Sequence, residues 1–117
     1  MSRTVVETLS HHMTAFIRSD VDSIMENYTD GSVLFSPDGV LEGRDLIRSF
    51  YVNLTGTLLP PGSTFQSVRQ DRRGDTVFLL WQAESPVMKF HLAAETLVIR
   101  DGKIVTHSFA AAVEPKE

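Results

Sequence analysis

The stretch FSPDGVLEGRDLIRSFY, residues 35–51, decides how this chain folds. It closes a short apolar strand, Ser32-Val33-Leu34-Phe35, passes through Ser36-Pro37-Asp38-Gly39, and re-enters regular structure at Gly43-Arg44-Asp45. Pro37 has no amide hydrogen and Gly39 tolerates positive φ, so the strand cannot simply continue through them. Beyond this corner Leu46, Ile47, Phe50, Tyr51 and Leu54 recur at helical spacing, which predicts a helix opened by Gly43 or Asp45. Ser36-Pro37-Asp38 has two readings: a corner that carries chemistry, or the joint between strand and helix. Asp is common in joints because its carboxylate bonds the local backbone.

Upstream, Val5, Val6, Leu9, Met13, Phe16 and Ile17 fall on one helical stripe. At about 100° per residue, His12 lands on the edge of that stripe and His11 points away from it. Ser19-Asp20 breaks this helix and caps a second, in which Val21, Ile24, Met25 and Tyr28 form the inward stripe until Asp30-Gly31 stops it. Tyr28 therefore enters the core with a hydroxyl that needs a partner.

Downstream of Pro60-Pro61-Gly62 everything reads as strand: 64–70, 76–84, 88–100 and 103–113. Asp101-Gly102 is a two-residue hairpin signal, and it sets Arg100 opposite Lys103, so that paired residue numbers sum to about 203. This register puts Phe90, Leu92, Ala94, Thr96 and Val98 on the helix-facing side with Val105, His107, Phe109, Ala111 and Val113. His107 then faces inward opposite Thr96, while Glu95 points away with His91, Ala93, Leu97 and Ile99. That outer face is too apolar for a wholly wet surface, which predicts a homodimer through it. The whole chain, 1–117, reads as one α+β domain, with helices on one face of a curved sheet and a cavity between them for a small apolar ligand.

Composition narrows the function. A net charge of -4 argues against nucleic-acid binding, which needs surplus Lys and Arg for phosphates. The one basic cluster, Arg69, Arg72 and Arg73, sits beside Asp71 and Asp75, where a solvated turn is favoured over an anion site. No run approaches the ~20 apolar residues of a membrane span, and MSRTVVETLSHH lacks the apolar core of a secretory signal, so the expectation is a cytoplasmic protein. Asn53-Leu54-Thr55 is then a chance match to a glycosylation sequon. There is no cysteine, no His-x-x-x-His, no phosphate loop and no dinucleotide fingerprint, so neither metal nor cofactor is expected.

Three segments, SDVDSIMENYTDGSVLFSPDG, LEGRDLIRSFY and VIRDGKIVTHSFA, resemble the nuclear transport factor 2-like superfamily, especially its SnoaL-like and ketosteroid isomerase-like members. The resemblance covers nearly the whole chain and implies a cystatin-like cone: three N-terminal helices packed on a curved, mainly antiparallel sheet. Fold alone does not fix activity. In the ketosteroid isomerases a helix-1 Tyr donates to the developing oxyanion, an Asp before the corner proline is the general base, and an Asp on the penultimate strand is the second donor. The matching positions here are His12, Ser36 and Ala94, while two supporting tyrosines match Tyr28 and Tyr51. A neutral Ser is no base for a carbon acid, and Ala94 donates nothing from its side chain.

The standard isomerase route is therefore not expected. The chemistry is expected to rest on His12 and His107, with Tyr28 or Tyr51 as donor, as in the scytalone dehydratase-like branch. Ser36, Asp38, Phe50, Trp81, Ala94 and Phe109 are the further candidate ligand contacts. Two functions follow: a cofactor-free isomerase, dehydratase or cyclase of a small hydrophobic substrate, or a non-enzymatic ligand-binding or dimerisation module. A cavity collapsed around Trp81 and Phe109 would favour the second; one open to both imidazoles would favour the first.

Overall fold

The computed structural model describes residues 2–117. Helix α1 (Val5–Ile17) opens with a reciprocal cap: Thr4 Oγ1 accepts from the Glu7 amide at 3.1 Å, and the Glu7 carboxylate accepts from the Thr4 amide at 2.8 Å. Its buried side is Thr8, Leu9, His12 and Ala15, whereas Val6 and Ile17 are 57% and 54% exposed. The buried stripe is thus rotated from the one predicted, and His12 lies within it rather than at its edge.

Helix α2 (Val21–Met25) is capped by the Asp20 side chain, which accepts from the Ser23 amide at 3.1 Å. It ends before Tyr28, which is the first residue of strand β1 (Tyr28–Ser36), not the last of the helical stripe. Arg44 explains the early stop, since its guanidinium donates to the Met25 and Tyr28 carbonyls at 2.6 Å each. Strand β2 (Gly39–Glu42), absent from the sequence reading, folds back on β1 as a short hairpin. Helix α3 (Arg44–Asn53) starts at Gly43, whose φ of 93° suits glycine, and continues into a π-helical segment, Leu54–Leu58.

Strands β3 (Thr64–Arg73), β4 (Thr76–Glu84), β5 (Met88–Arg100) and β6 (Lys103–Pro115) follow. The limits of β4 and β5 are those predicted, while β3 and β6 run a few residues further. The six strands lie in the order β2-β1-β6-β5-β4-β3, with β1 and β6 parallel and every other pair antiparallel. Helices cover one face of this curved sheet, and the core between them holds Ile24, Leu34, Ile47, Leu97, Ile99 and Ile104. The α+β cone is as expected.

The β5–β6 register corrects the sequence reading. Arg100 faces Lys103 and Ile99 faces Ile104, but Val98 then faces Thr106, so Val105 is an extra, unpaired residue on β6. From there each pair is shifted by one: Leu97 opposes His107, Glu95 opposes Phe109, and Ala94 opposes Ala110. A one-residue shift exchanges the faces of a strand. Ala93, Glu95, Leu97 and Ile99 therefore point inward with His107 and Phe109, while Ala94 and Thr96 point out. A second irregularity between Phe90 and Leu92 returns Phe90 to the core.

Candidate active site

Four strands and two helices converge on one buried cluster. His107, from the middle of β6, has no exposed surface, and both its nitrogens are bonded. Nε2 lies 2.7 Å from Glu95 Oε1 and Nδ1 lies 2.9 Å from the Tyr28 hydroxyl. Tyr28 in turn meets the Tyr51 hydroxyl at 2.6 Å, and Trp81 Nε1 donates to Glu95 Oε2 at 2.7 Å. Tyr51 is placed by the last turn of α3, and Thr55 Oγ1 of the π-helical segment donates to its carbonyl at 2.7 Å.

The charge on Glu95 orients the chain. Burial pushes its carboxyl up, but the hydrogen bond and positive charge of His107, the charge of His12 and the Trp81 hydrogen bond together bring it below the usual carboxylate value. An ionised Glu95 only accepts, so His107 Nε2 donates to it. In the tautomer whose one proton is on Nε2, Nδ1 accepts from Tyr28, whose single proton is thereby used, and Tyr51 donates to Tyr28. Burial raises both phenols well above their ordinary value, which keeps them protonated. The result is a directed relay, Tyr51 to Tyr28 to His107 to Glu95.

His12 stands beside this relay without joining it. Its ring centroid is 6.1 Å from Tyr28, 5.9 Å from Tyr51 and 6.3 Å from His107. Its Nδ1 is buried with no hydrogen-bond partner among the described residues. Burial, and then the neighbouring His107, lower its pKa from 6.5 to about 4 despite the opposing charge of Glu95, so it is neutral at pH 7.

A hollow of about 120 Å³ adjoins the cluster, bordered by His12, Phe16, Tyr51, Phe65, Trp81 and Glu95. The two ends of the relay, Tyr51 and Glu95, thus border the same space. His107 does not border it, so one imidazole of the predicted pair meets the hollow and the other works from behind. The predicted ligand contacts divide similarly. Tyr51 and Trp81 border the hollow, while Tyr28 connects the relay beneath it. Phe50 packs on Tyr51 and Phe109 at 5.1 and 5.4 Å, behind the wall.

Ser36 and Asp38 are elsewhere: the Ser36 hydroxyl donates to the Gly39 carbonyl at 3.0 Å and accepts from the Asp38 amide at 3.2 Å, and the Asp38 side chain is exposed. That corner is a β-turn, and neither residue contacts the hollow. Ala94 lies on the outer face of the sheet, so the acidic group on this strand is Glu95, one residue along. Glu95, Phe16 and Phe65 were not among the sequence candidates. Among the described residues no group of three or more His, Asp or Glu could hold a metal ion, and no helix is long and apolar enough to cross a membrane.

This arrangement, a cone whose helices close over polar residues on the inner sheet face, agrees with a sequence comparison: the SnoaL-like domain matches residues 9–107. The chain belongs to the SnoaL-like domain family. Solved structures agree in fold. An 18% identical NTF2-like protein from Burkholderia xenovorans superposes with a TM-score of 0.77 over 97% of this SnoaL-like chain and 85% of its own. A protein from Kribbella flavida is 24% identical, with a TM-score of 0.78 over 90% of this chain and 84% of that one. The epoxide hydrolase/cyclase-like enzyme SalBIII, of pyran ring formation in the polyether salinomycin, is 19% identical, with a TM-score of 0.77 over 96% and 95%. No curated protein matches this SnoaL-like chain in sequence.

Proposed function

We propose that this SnoaL-like protein is a cofactor-free acid–base enzyme that isomerises, dehydrates or cyclises a small, mostly apolar molecule held in the hollow. The observation that carries this reading is a proton relay with both ends, Tyr51 and Glu95, at one apolar hollow. A hydroxyl or enol proton of the bound molecule passes to the Tyr51 oxygen. Tyr51 gives its own proton to Tyr28, Tyr28 gives one to His107 Nδ1, and His107 Nε2 gives one to Glu95. Glu95 then protonates a second atom of the same molecule, a carbon or a leaving oxygen. One proton leaves the substrate and one returns.

The relay is now inverted, with the imidazole proton on Nδ1. In that state it carries a proton the other way, from a C–H at Glu95 to an oxygen at Tyr51. Such positioned groups typically contribute about 100- to 10,000-fold each. Neutral His12, with a free nitrogen, orients the polar group of the substrate.

The test needs no knowledge of the natural substrate. Cyclohexanone and 2-cyclohexenone are incubated with the protein in D2O, and exchange at carbons next to the carbonyl is followed by NMR. Protein-dependent exchange that disappears in Glu95→Gln is the expected result. Exchange no faster than buffer alone, or equal in Glu95→Gln, would overturn the reading.

The proposed enzyme acts as a homodimer through the outer sheet face. Register pairs Phe35 with Ser108, Ser108 with Thr96 and Thr96 with Phe78, giving a row that runs large, small, small, large. Phe35 is 48% and Phe78 37% exposed. A second copy across a twofold axis can set its phenylalanines over the small pairs of the first, a self-complementary contact.

A further inference from the structure

The hollow beside Glu95 is smaller than the ~300–1,000 Å³ of pockets that enclose a drug-sized ligand, and smaller than a ~150 Å³ cavity that takes up benzene. It admits one ring at most. Yet it does not end there. Met13 and Ile17, which also border it, continue into a groove of about 300 Å³ between α1 and β3. The groove floor is apolar, formed by Val6, Leu9, Met13 and Ile17. Val6 and Ile17 are the residues of the predicted apolar stripe that folding left uncovered, 57% and 54% exposed. They lie eleven residues apart on α1, about 16 Å at ~1.5 Å per residue.

The groove also has a polarity. On β3 a bulge between Ser67 and Arg69 resets the alternation, so that Gln70 opposes Leu79 and Arg72 opposes Val77. Leu79 and Val77 are buried inward, and Gln70 and Arg72 therefore sit on the helix-facing side, where both border the groove. The Arg72 guanidinium meets only the Gly74 carbonyl, at 3.3 Å, among the described residues. Its neighbour Arg69 is occupied by Asp71. A carboxylate, Glu95, stands at the enclosed end of the path and a free cation at the open end.

We infer that the substrate is elongated and polar at its far terminus: a neutral head of about one ring enters the hollow, an apolar body lies on Val6, Met13 and Ile17, and an anionic tail meets Arg72. This deepens the proposed function and rests on it. The ionised Glu95 repels an anionic head, which fixes the direction in which such a molecule binds. The competing account of Arg72 is that an inward charge on the edge strand β3 protects that edge from pairing with other chains.

Three probes separate these possibilities: phenol, 4-octylphenol and 8-(4-hydroxyphenyl)octanoate. Binding is measured by calorimetry and by the fluorescence of Trp81, the only tryptophan, which borders the hollow. Octylphenol is expected to bind at least about tenfold tighter than phenol, by burial of methylenes in the groove. Val6→Asp removes that gain and leaves phenol unchanged; Asp suits the first turn of α1, and phenol affinity reports that the hollow is intact. If Val6→Asp also loses phenol, Val6→Ser is read in its place. Arg72→Glu weakens the octanoate about tenfold or more and leaves octylphenol unchanged.

Phenol binding with no gain for octylphenol, or a gain indifferent to both Val6 substitutions, overturns the groove and leaves the proposed acid–base site standing. Equal effects of Arg72→Glu on octylphenol and the octanoate assign Arg72 to edge protection and overturn the anionic tail. Failure of all three probes to bind removes the hollow as a site, and the proposed function with it.

Discussion

Replacing His12 by Leu should abolish an acid-dependent loss of stability that begins well above the pH at which carboxylates titrate. In the denatured chain this imidazole takes a proton near 6.5, while in the folded protein burial and His107 hold it off until about 4. Between those values the denatured state binds more protons, so stability rises with pH there and falls on acidification. The gap is about 2.5 pH units, which at about 1.36 kcal/mol per unit amounts to about 3 kcal/mol. The full contribution is present at pH 7 and has gone by pH 4. Glu95 works in a different window: its lowered carboxyl contributes stability above the ordinary value of 4.5, which is lost only as pH falls through its lower folded value.

Urea unfolding followed by Trp81 fluorescence at half-unit steps from pH 7.5 to 4.5 measures the difference directly. The wild type should lose about 2–3 kcal/mol more than His12→Leu over that range, by the same linkage. At pH 7 the variant should be no less stable, because Leu fills similar space and removes a buried nitrogen that has no partner. Parallel pH profiles for the two proteins, or an NMR titration placing His12 near 6.5, would refute the placement of this ring among Tyr28, Tyr51 and His107.

The relay and the interface make separable predictions. Tyr51→Phe removes the relay's entry and one hydrogen bond to Tyr28; it should cost about 1 kcal/mol in thermal or urea unfolding. The same variant should slow deuterium exchange into the ketone probes roughly 100-fold or more, with phenol affinity within a few-fold of wild type. Phe78→Glu places a charge in the outer row without touching the hollow, so sedimentation equilibrium should report a dimer for the wild type and a monomer for the variant, with ketone exchange per folded chain retained.

Much of the fold was legible because local signals agreed with one another. The Val5 to Ile17 periodicity, the Pro37-Asp38-Gly39 corner, the stripe from Leu46 to Leu54 and the Asp101-Gly102 hairpin each specify one element, and each element formed, although Leu46, expected to face inward, is 51% exposed. What failed was local pattern overruled by tertiary contact. Tyr28 continues the spacing of Ile24 and Met25, yet the chain leaves the helix before it because Arg44 takes the carbonyls of Met25 and Tyr28 and Ile104 donates to the Asn27 carbonyl at 2.7 Å. No periodicity within residues 21–28 contains Arg44 or Ile104. Similarly, Val6 and Ile17 satisfy the apolar stripe of α1, but folding leaves them 57% and 54% exposed.

Glu95 is the instructive case, because the sequence contains the information that places it. On β5 the larger apolar side chains at alternate positions near the turn are Leu97 and Ile99, which share a face with Ala93 and Glu95, while Phe90 and Leu92 further along stand at even positions. On β6 the interior candidates His107 and Phe109 are also odd-numbered. A hairpin whose pairs sum to 203 sets odd residues against even ones, so it cannot bury both sets. Each strand's own pattern is satisfied only if one residue is skipped between the turn and His107, and Val105 is that residue. The skip turns Glu95 from a surface carboxylate into the hydrogen-bond partner of His107 and Trp81. A conflict between two amphipathic strands across a well-defined turn is thus itself evidence for a bulge, and here the bulge turns inward the carboxylate that the proposed chemistry uses.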